Sequence, residues 1–172
     1  MKKIVALFMA LCLLTGFALA EAVEINWEDV EASVAEAGID GDFAAIADLG
    51  IKMFVPSVFQ EVELSEEEIG AGYIFLMSTE DNSANVAAYY VSADGMTLED
   101  LGAALSESGA QDVELVTINS IPVITYEQPA SDSMNVCMLT DADNFVMFIF
   151  EPASDEGFQS VAAIMTASIQ AA

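Results

Sequence analysis

Ser133-Met134-Asn135-Val136-Cys137-Met138-Leu139-Thr140 and Phe145-Val146-Met147-Phe148-Ile149-Phe150-Glu151 are apolar runs that flank the polar stretch Asp141-Ala142-Asp143-Asn144. Two extended runs joined by so short a turn must pair antiparallel, because a parallel pair needs a long crossover. Phe145 to Phe150 is apolar at every position, the pattern of a central strand covered on both faces. Pro152 ends it. Beyond lies a helix: Phe158, Val161, Ala162, Met165, Ser168 and Ile169 recur with helical spacing, and Asp155 and Glu156 complement its positive N-terminus.

The same reasoning extends towards the N-terminus. Asp112 to Ile118 and Ile121 to Glu127 flank Asn119-Ser120, a two-residue hairpin turn. Thr97-Leu98-Glu99-Asp100 opens a helix with Leu98, Leu101 and Leu105 on one face and Gly109 past its end. Tyr73 to Ser78 and Val86 to Val91 are strands around Glu80-Asp81-Asn82-Ser83. Ser65 and Glu68 have capping-box spacing for one helical turn, stopped by Gly70 and Gly72, and Val58 to Leu64 reads as irregular chain or a short strand. Phe43 to Ala47 and Ile51 to Val55 form a hairpin around Asp48-Leu49-Gly50. Asn26 is placed to cap a helix from Trp27 to about Ala37, within 26–38, with Trp27, Val30, Val34 and Ala37 on its apolar face. The expected class is α+β, an antiparallel sheet flanked by helices in one domain from 21 to 172.

Residues 1–20 read as an export signal: Lys2-Lys3, an apolar run from Ile4 to Leu14, then Ala18-Leu19-Ala20, with cleavage expected after Ala20. That run is about 11 residues, whereas a membrane span needs roughly 20, so no membrane insertion is expected after cleavage. Cys12 follows Leu11 inside the run and does not read as a lipid-attachment site. The expected location is extracellular or periplasmic, in a bacterial source.

After cleavage Lys52 is the only base against 29 acids, and the chain has no His and no Arg. Nucleic-acid binding draws on Lys and Arg to neutralise phosphates, so that class is excluded. Cations, basic proteins and neutral molecules stay as partners. Without imidazole the usual Ser-His and Cys-His nucleophiles cannot form, and no catalytic residue or cofactor is expected. Lys52 reads as a solvated strand lysine. A hydrolase using two carboxylates, a small glycosidase, is the remaining catalytic alternative.

Cys137 lies in an apolar run and reads as a buried thiol, with a dimer contact or a soft-metal site as alternatives. Calcium wants six to eight oxygens. The candidates for weak divalent-cation binding are the turns at Asp40-Gly41-Asp42, at Asp81 and Asn82, and at Asp141 and Asp143, although turns favour Asp and Asn in any case. Tyr89 and Tyr90 are neighbours on one strand and face opposite sides of the sheet. Both are candidate ligand-binding residues, because an exposed tyrosine on this strand would mark a contact surface.

Three segments together resemble the PsbP/DcrB-like superfamily, whose fold the Ran-binding Mog-type proteins share. Ile51-Lys52-Met53-Phe54-Val55-Pro56-Ser57-Val58-Phe59-Gln60-Glu61-Val62 is similar to its opening: extended strand, Pro-Ser, aromatic, short strand. Ile118-Asn119-Ser120-Ile121-Pro122-Val123-Ile124-Thr125-Tyr126 resembles its Asn-turn hairpin ending in Tyr. Phe148-Ile149-Phe150, then Pro152 and a helix ending Ala167-Ser168-Ile169, completes the series. The resemblance runs from Asp42 to Ala172. It implies an antiparallel sheet between helices and a non-enzymatic interaction module binding an unknown protein or small molecule, and it carries over no site.

Overall fold

Asn119 and Ser120 both take positive φ, 47° and 69°. Such a two-residue turn matches the right-handed twist of the strands it joins. It links β7 (Gln111–Ile118) to β8 (Ile121–Gln128) in the computed structural model, which describes residues 23–140 and 144–172. β8 pairs with β9 (Ser133–Leu139), and β9 with β10 (Asn144–Glu151), all antiparallel. β10 then pairs with β6 (Asn85–Ser92), β6 with β5 (Tyr73–Thr79) and β5 with β4 (Phe59–Glu61). A short parallel strand, β1 (Glu24–Ile25), edges β7, so the sheet has eight strands in the order β1-β7-β8-β9-β10-β6-β5-β4.

The hairpin read near the N-terminus is present, β2 (Gly41–Ala45) with β3 (Ile51–Pro56), but it does not join that sheet. With β11 (Gln170–Ala171) it forms a second sheet of three strands. Four helices complete the order among the described residues: α1 (Trp27–Glu36), α2 (Glu66–Gly70), α3 (Leu98–Ser108) and α4 (Glu156–Ala167). The class is α+β. No helix among the described residues is long and apolar enough to cross a membrane.

The helix ends follow local chemistry. Ser65 with Glu68 and Thr97 with Asp100 form capping boxes, and Asp155 accepts the Phe158 N–H at 2.7 Å. Asn26 is an exception: it occupies the N-cap position of α1 but its side chain makes no capping bond. Asn119 does that work instead. Its Oδ1 accepts the Trp27 N–H at 2.7 Å, while its Nδ2 donates to the carbonyls of Ala167 and Ile169. One turn residue therefore ties α1, the end of α4 and the β7–β8 hairpin together. Ser168, expected on the helix face, lies just past the end of α4, where its Oγ accepts from Phe54 N at 2.7 Å and donates to Met165 O.

Strand alternation divides the wide sheet into two faces. The inner face carries Val86, Ala88, Val136, Met138, Val146, Phe148 and Phe150, packed on Phe158, Ala162 and Met165 of α4 and on Met53 and Val55 of β3. Burying an aromatic or aliphatic side chain of this size contributes roughly 1.5–3 kcal/mol before entropy, so this layer dominates stability. The back of α4 holds α1 through Trp27, Val30, Val34, Phe54, Ile164 and Ala167. The outer face is covered by α3, whose Leu98, Leu101 and Leu105 pack over Ile124, Tyr126, Cys137 and Phe145.

Candidate functional site

The cover on the outer face is incomplete. α3 packs on β7 and β8, and an added Cβ at Gly102 would sit 3.1 Å from Ile124 and 3.8 Å from Val113. Beyond it the pairing register sets side chains in cross-strand rows. One row runs Tyr73, Tyr89, Met147, Cys137, Ile124 across β5, β6, β10, β9 and β8. The next runs Leu76, Ala87, Ile149, Asn135, Tyr126. At the β8 end both rows are buried under α3, whereas Tyr73, Leu76, Tyr89, Met147 and Ile149 are only half-buried. The expectation that β10 is covered on both faces therefore needs correction. Its inner face is sealed and outward Phe145 is buried, but Met147, at the margin of the α3 cluster, and Ile149 keep partial exposure.

Met147 organises the first row. Its Sδ accepts the Tyr89 hydroxyl at 2.9 Å and the Tyr126 hydroxyl at 3.1 Å, and the Tyr73 and Tyr89 rings lie 5.3 Å apart. Burial raises the Tyr126 and Tyr89 hydroxyls above the usual phenol range, with smaller contributions from neighbouring Tyr and Cys groups. These phenols keep their protons and act as donors. Cys137 is fully buried behind them and burial pushes its thiol up to about 12. A thiol so held is a packing group, because the reactive form is the thiolate.

A polar residue interrupts the second row. Asn135 is 4% exposed and donates to Ser133 O and Oγ, and Ser133 is 2% exposed. Ala87, also buried, lies between Leu76 and Ile149 in this row.

The residues singled out from the sequence fall in different places. Tyr89 and Tyr90 do face opposite sides. Tyr89 belongs to the outer face, while Tyr90, 39% exposed, stands in register with inner-face Val146 near the sheet end, its N–H bonded to Gly72 O. The two tyrosines thus share no surface. Asp81 is spent inside its turn: Oδ1 accepts from Thr79 Oγ1, Ser83 N and Ser83 Oγ, bonds that hold its carboxyl below the usual range. Asn82 takes φ 56° and accepts from Ser78 Oγ. Asp141 and Asp143, like the export signal at 1–20, lie outside the described residues. Lys52 is half-buried with its Nζ 5.2 Å from the Phe43 ring centroid. Sequence reasoning missed Tyr73, Leu76, Met147 and Ile149 as companions of Tyr89. The alternation of each strand was visible, but the register that aligns them was not.

No protein-family model matches the sequence, and no curated protein does. Among solved structures the chain is similar to the solution structure of cyanobacterial PsbP (CyanoP) from Synechocystis sp. PCC 6803. The TM-score is 0.52 at 11% identity, covering 76% of this chain and 92% of that one. This chain has a PsbP-like fold. The sequence resemblance thus holds at the level of fold, and α1, outside the resembling segment, packs on the PsbP-like core through the back of α4. A structure from Bacteroides thetaiotaomicron VPI-5482 is also similar, with TM-score 0.47 and 16% identity over 77% of this chain and 48% of that one.

Proposed function

We propose that this chain is an exported, non-catalytic binding module with a PsbP-like fold, which meets its partner through the outer face beyond α3. The observation that carries the reading is the half-buried set Tyr73, Leu76, Tyr89, Met147 and Ile149, laid side by side on adjacent strands. Aromatic residues and Met are enriched at protein contact surfaces, and contiguous apolar area on a secreted domain marks a place where something docks. The Lys2-Lys3 start, apolar run and Ala18-Leu19-Ala20 exit support export.

The non-catalytic part rests on chemistry. The chain lacks imidazole and guanidinium. Its mature thiol is buried with a raised pKa, and its one mature side-chain amine, on Lys52, lies over an aromatic ring.

Methionine oxidation tests the reading, since peroxide converts accessible thioethers to sulfoxides. In the isolated protein Met147 should oxidise faster than Met53 and Met165, both 0% exposed. In the native extracellular fluid Met147 should become protected. Equal oxidation in both settings refutes the assignment of this face.

A further inference from the structure

Two residues further along each strand, past Leu76, Ala87 and Ile149, lies a third outer-face row. Ser78, Asn85 and Glu151 stand in register across β5, β6 and β10, and Ser133 and Gln128 across β9 and β8. The pairing of Met134 with Phe150 puts Ser133 next to Glu151. Every side chain in this row carries hydrogen-bonding groups, whereas Leu76, Ala87 and Ile149 in the row before it are apolar.

Part of the row is fixed and part is free. Ser78 is 6% exposed and bonds within its own turn, and Ser133 and Asn135 hold each other. Asn85, Gln128 and Glu151 are half-buried, and among the described residues nothing hydrogen-bonds their side chains. Two primary amides and one carboxylate, set on a rigid sheet, therefore keep their donors and acceptors for something outside the chain.

Size and chemistry select the occupant. From Glu151 to Met147 is about 14 Å at about 3.4 Å per residue, and β5, β6 and β10 span about 10 Å. That patch is small against the roughly 800 Å² each partner gives to a standard protein interface. An anionic ligand finds no cation here, since Lys52, the one base after residue 20, belongs to the other sheet. A cation would use Glu151 but leave the amide donors of Asn85 and Gln128 without acceptors. A wholly apolar ligand would desolvate all three polar groups and pair none of them. A neutral sugar answers each demand: its C–H face lies on apolar side chains, and its hydroxyls both donate and accept.

We propose that the outer face binds a neutral oligosaccharide, its ring faces on Leu76, Ile149 and Tyr89 and its hydroxyls on Asn85, Glu151 and Gln128. This rests on the reading of that face as the contact surface and names what the face recognises.

The probe is an immobilised panel of neutral oligosaccharides (oligomers of glucose, mannose, galactose and N-acetylglucosamine) with sialylated and sulfated glycans as controls, incubated with the mature protein labelled at its N-terminus. At least one neutral series should bind saturably and be competed by the same sugar free in solution. The sialylated and sulfated glycans should bind at least about tenfold more weakly. Asn85→Ala and, independently, Gln128→Ala should weaken binding of the neutral series by about tenfold. Neither side chain is bonded within the fold, so both variants should keep the parent's urea midpoint. Val58→Gln, at an exposed position outside these rows, should change affinity less than about twofold.

Preference for the charged glycans, unchanged affinity in both amide variants, or no binding anywhere on the panel overturns the proposal. If nothing on the panel binds while Met147 gains protection in native fluid, the contact face stands and the sugar is wrong. If Met147 gains no protection either, both readings fall.

Discussion

The Asn119 side chain caps a helix 92 residues away in sequence: its Oδ1 takes the Trp27 N–H at 2.7 Å. The same amide donates to Ala167 O and Ile169 O, and the residue adopts φ 47°. Two changes separate these roles. Asn119→Gly keeps the turn conformation and removes three hydrogen bonds, each worth about 1 kcal/mol net. It should lower stability by about 2–3 kcal/mol, read as a lower urea midpoint with unchanged m-value. Asn119→Ala adds a positive-φ penalty and should cost about 1 kcal/mol more.

Gly41 has a steric reason to be glycine. A Cβ there overlaps the Val55 carbonyl oxygen and comes within 2.6 Å of the Phe54 ring. Gly41→Ala should destabilise by about 1–3 kcal/mol. Gly70 has nothing within 4 Å, so Gly70→Ala should stay within about 0.5 kcal/mol of the parent. Thermal denaturation of the pair makes the comparison.

Alkaline pH should unfold the protein through groups raised by burial. Cys137, Tyr89 and Tyr126 all hold their protons above their ordinary values. An unfolded Cys ionises near about pH 8.5 and Tyr near about 10. Between those values and the higher folded ones, the unfolded chain has lost protons that the folded chain keeps, so stability falls as pH rises. The urea midpoint should be insensitive to these three groups below about pH 8 and decline above about pH 9. Tyr126→Phe should flatten part of that decline and remove a late phase from the tyrosinate absorbance titration.

Self-repulsion among 29 acids should make stability salt-dependent. Sodium chloride should raise the melting temperature, because the screening length is about 10 Å at 0.1 M and shrinks further with salt. Calcium at matched ionic strength should give the same rise, since Asp81 already accepts three bonds inside its own turn. A calcium-specific excess would direct attention to Asp141 and Asp143.

The local parts of this fold were legible because their causes are local. Ser65 with Glu68 and Thr97 with Asp100 announce helix starts within four residues, and Asn119-Ser120 announces a hairpin. Asn26 misled because a good capping residue was in place, while the bond was made from the far end of β7. The second sheet was hidden for a similar reason: β11 pairs only Gln170 with Lys52 and Ala171 with Ile51, too short to show alternation. For the candidate site, Tyr89 was visible as an outward residue of one strand. Its row depends on register across β5, β6 and β10, with a bulge between Tyr73 and Phe75 that brings Tyr73 opposite Tyr89, and no single-strand pattern encodes that.

The central claim is that the outer face beyond α3 is the contact surface. A photo-crosslinking side chain placed at Ile149 of the protein made in its own cells tests it most directly, with the same group at Val58 as the control position. The account expects a discrete covalent adduct from position 149 that unlabelled protein competes away, and none from position 58. No adduct at 149, or identical adducts from both positions, would contradict it.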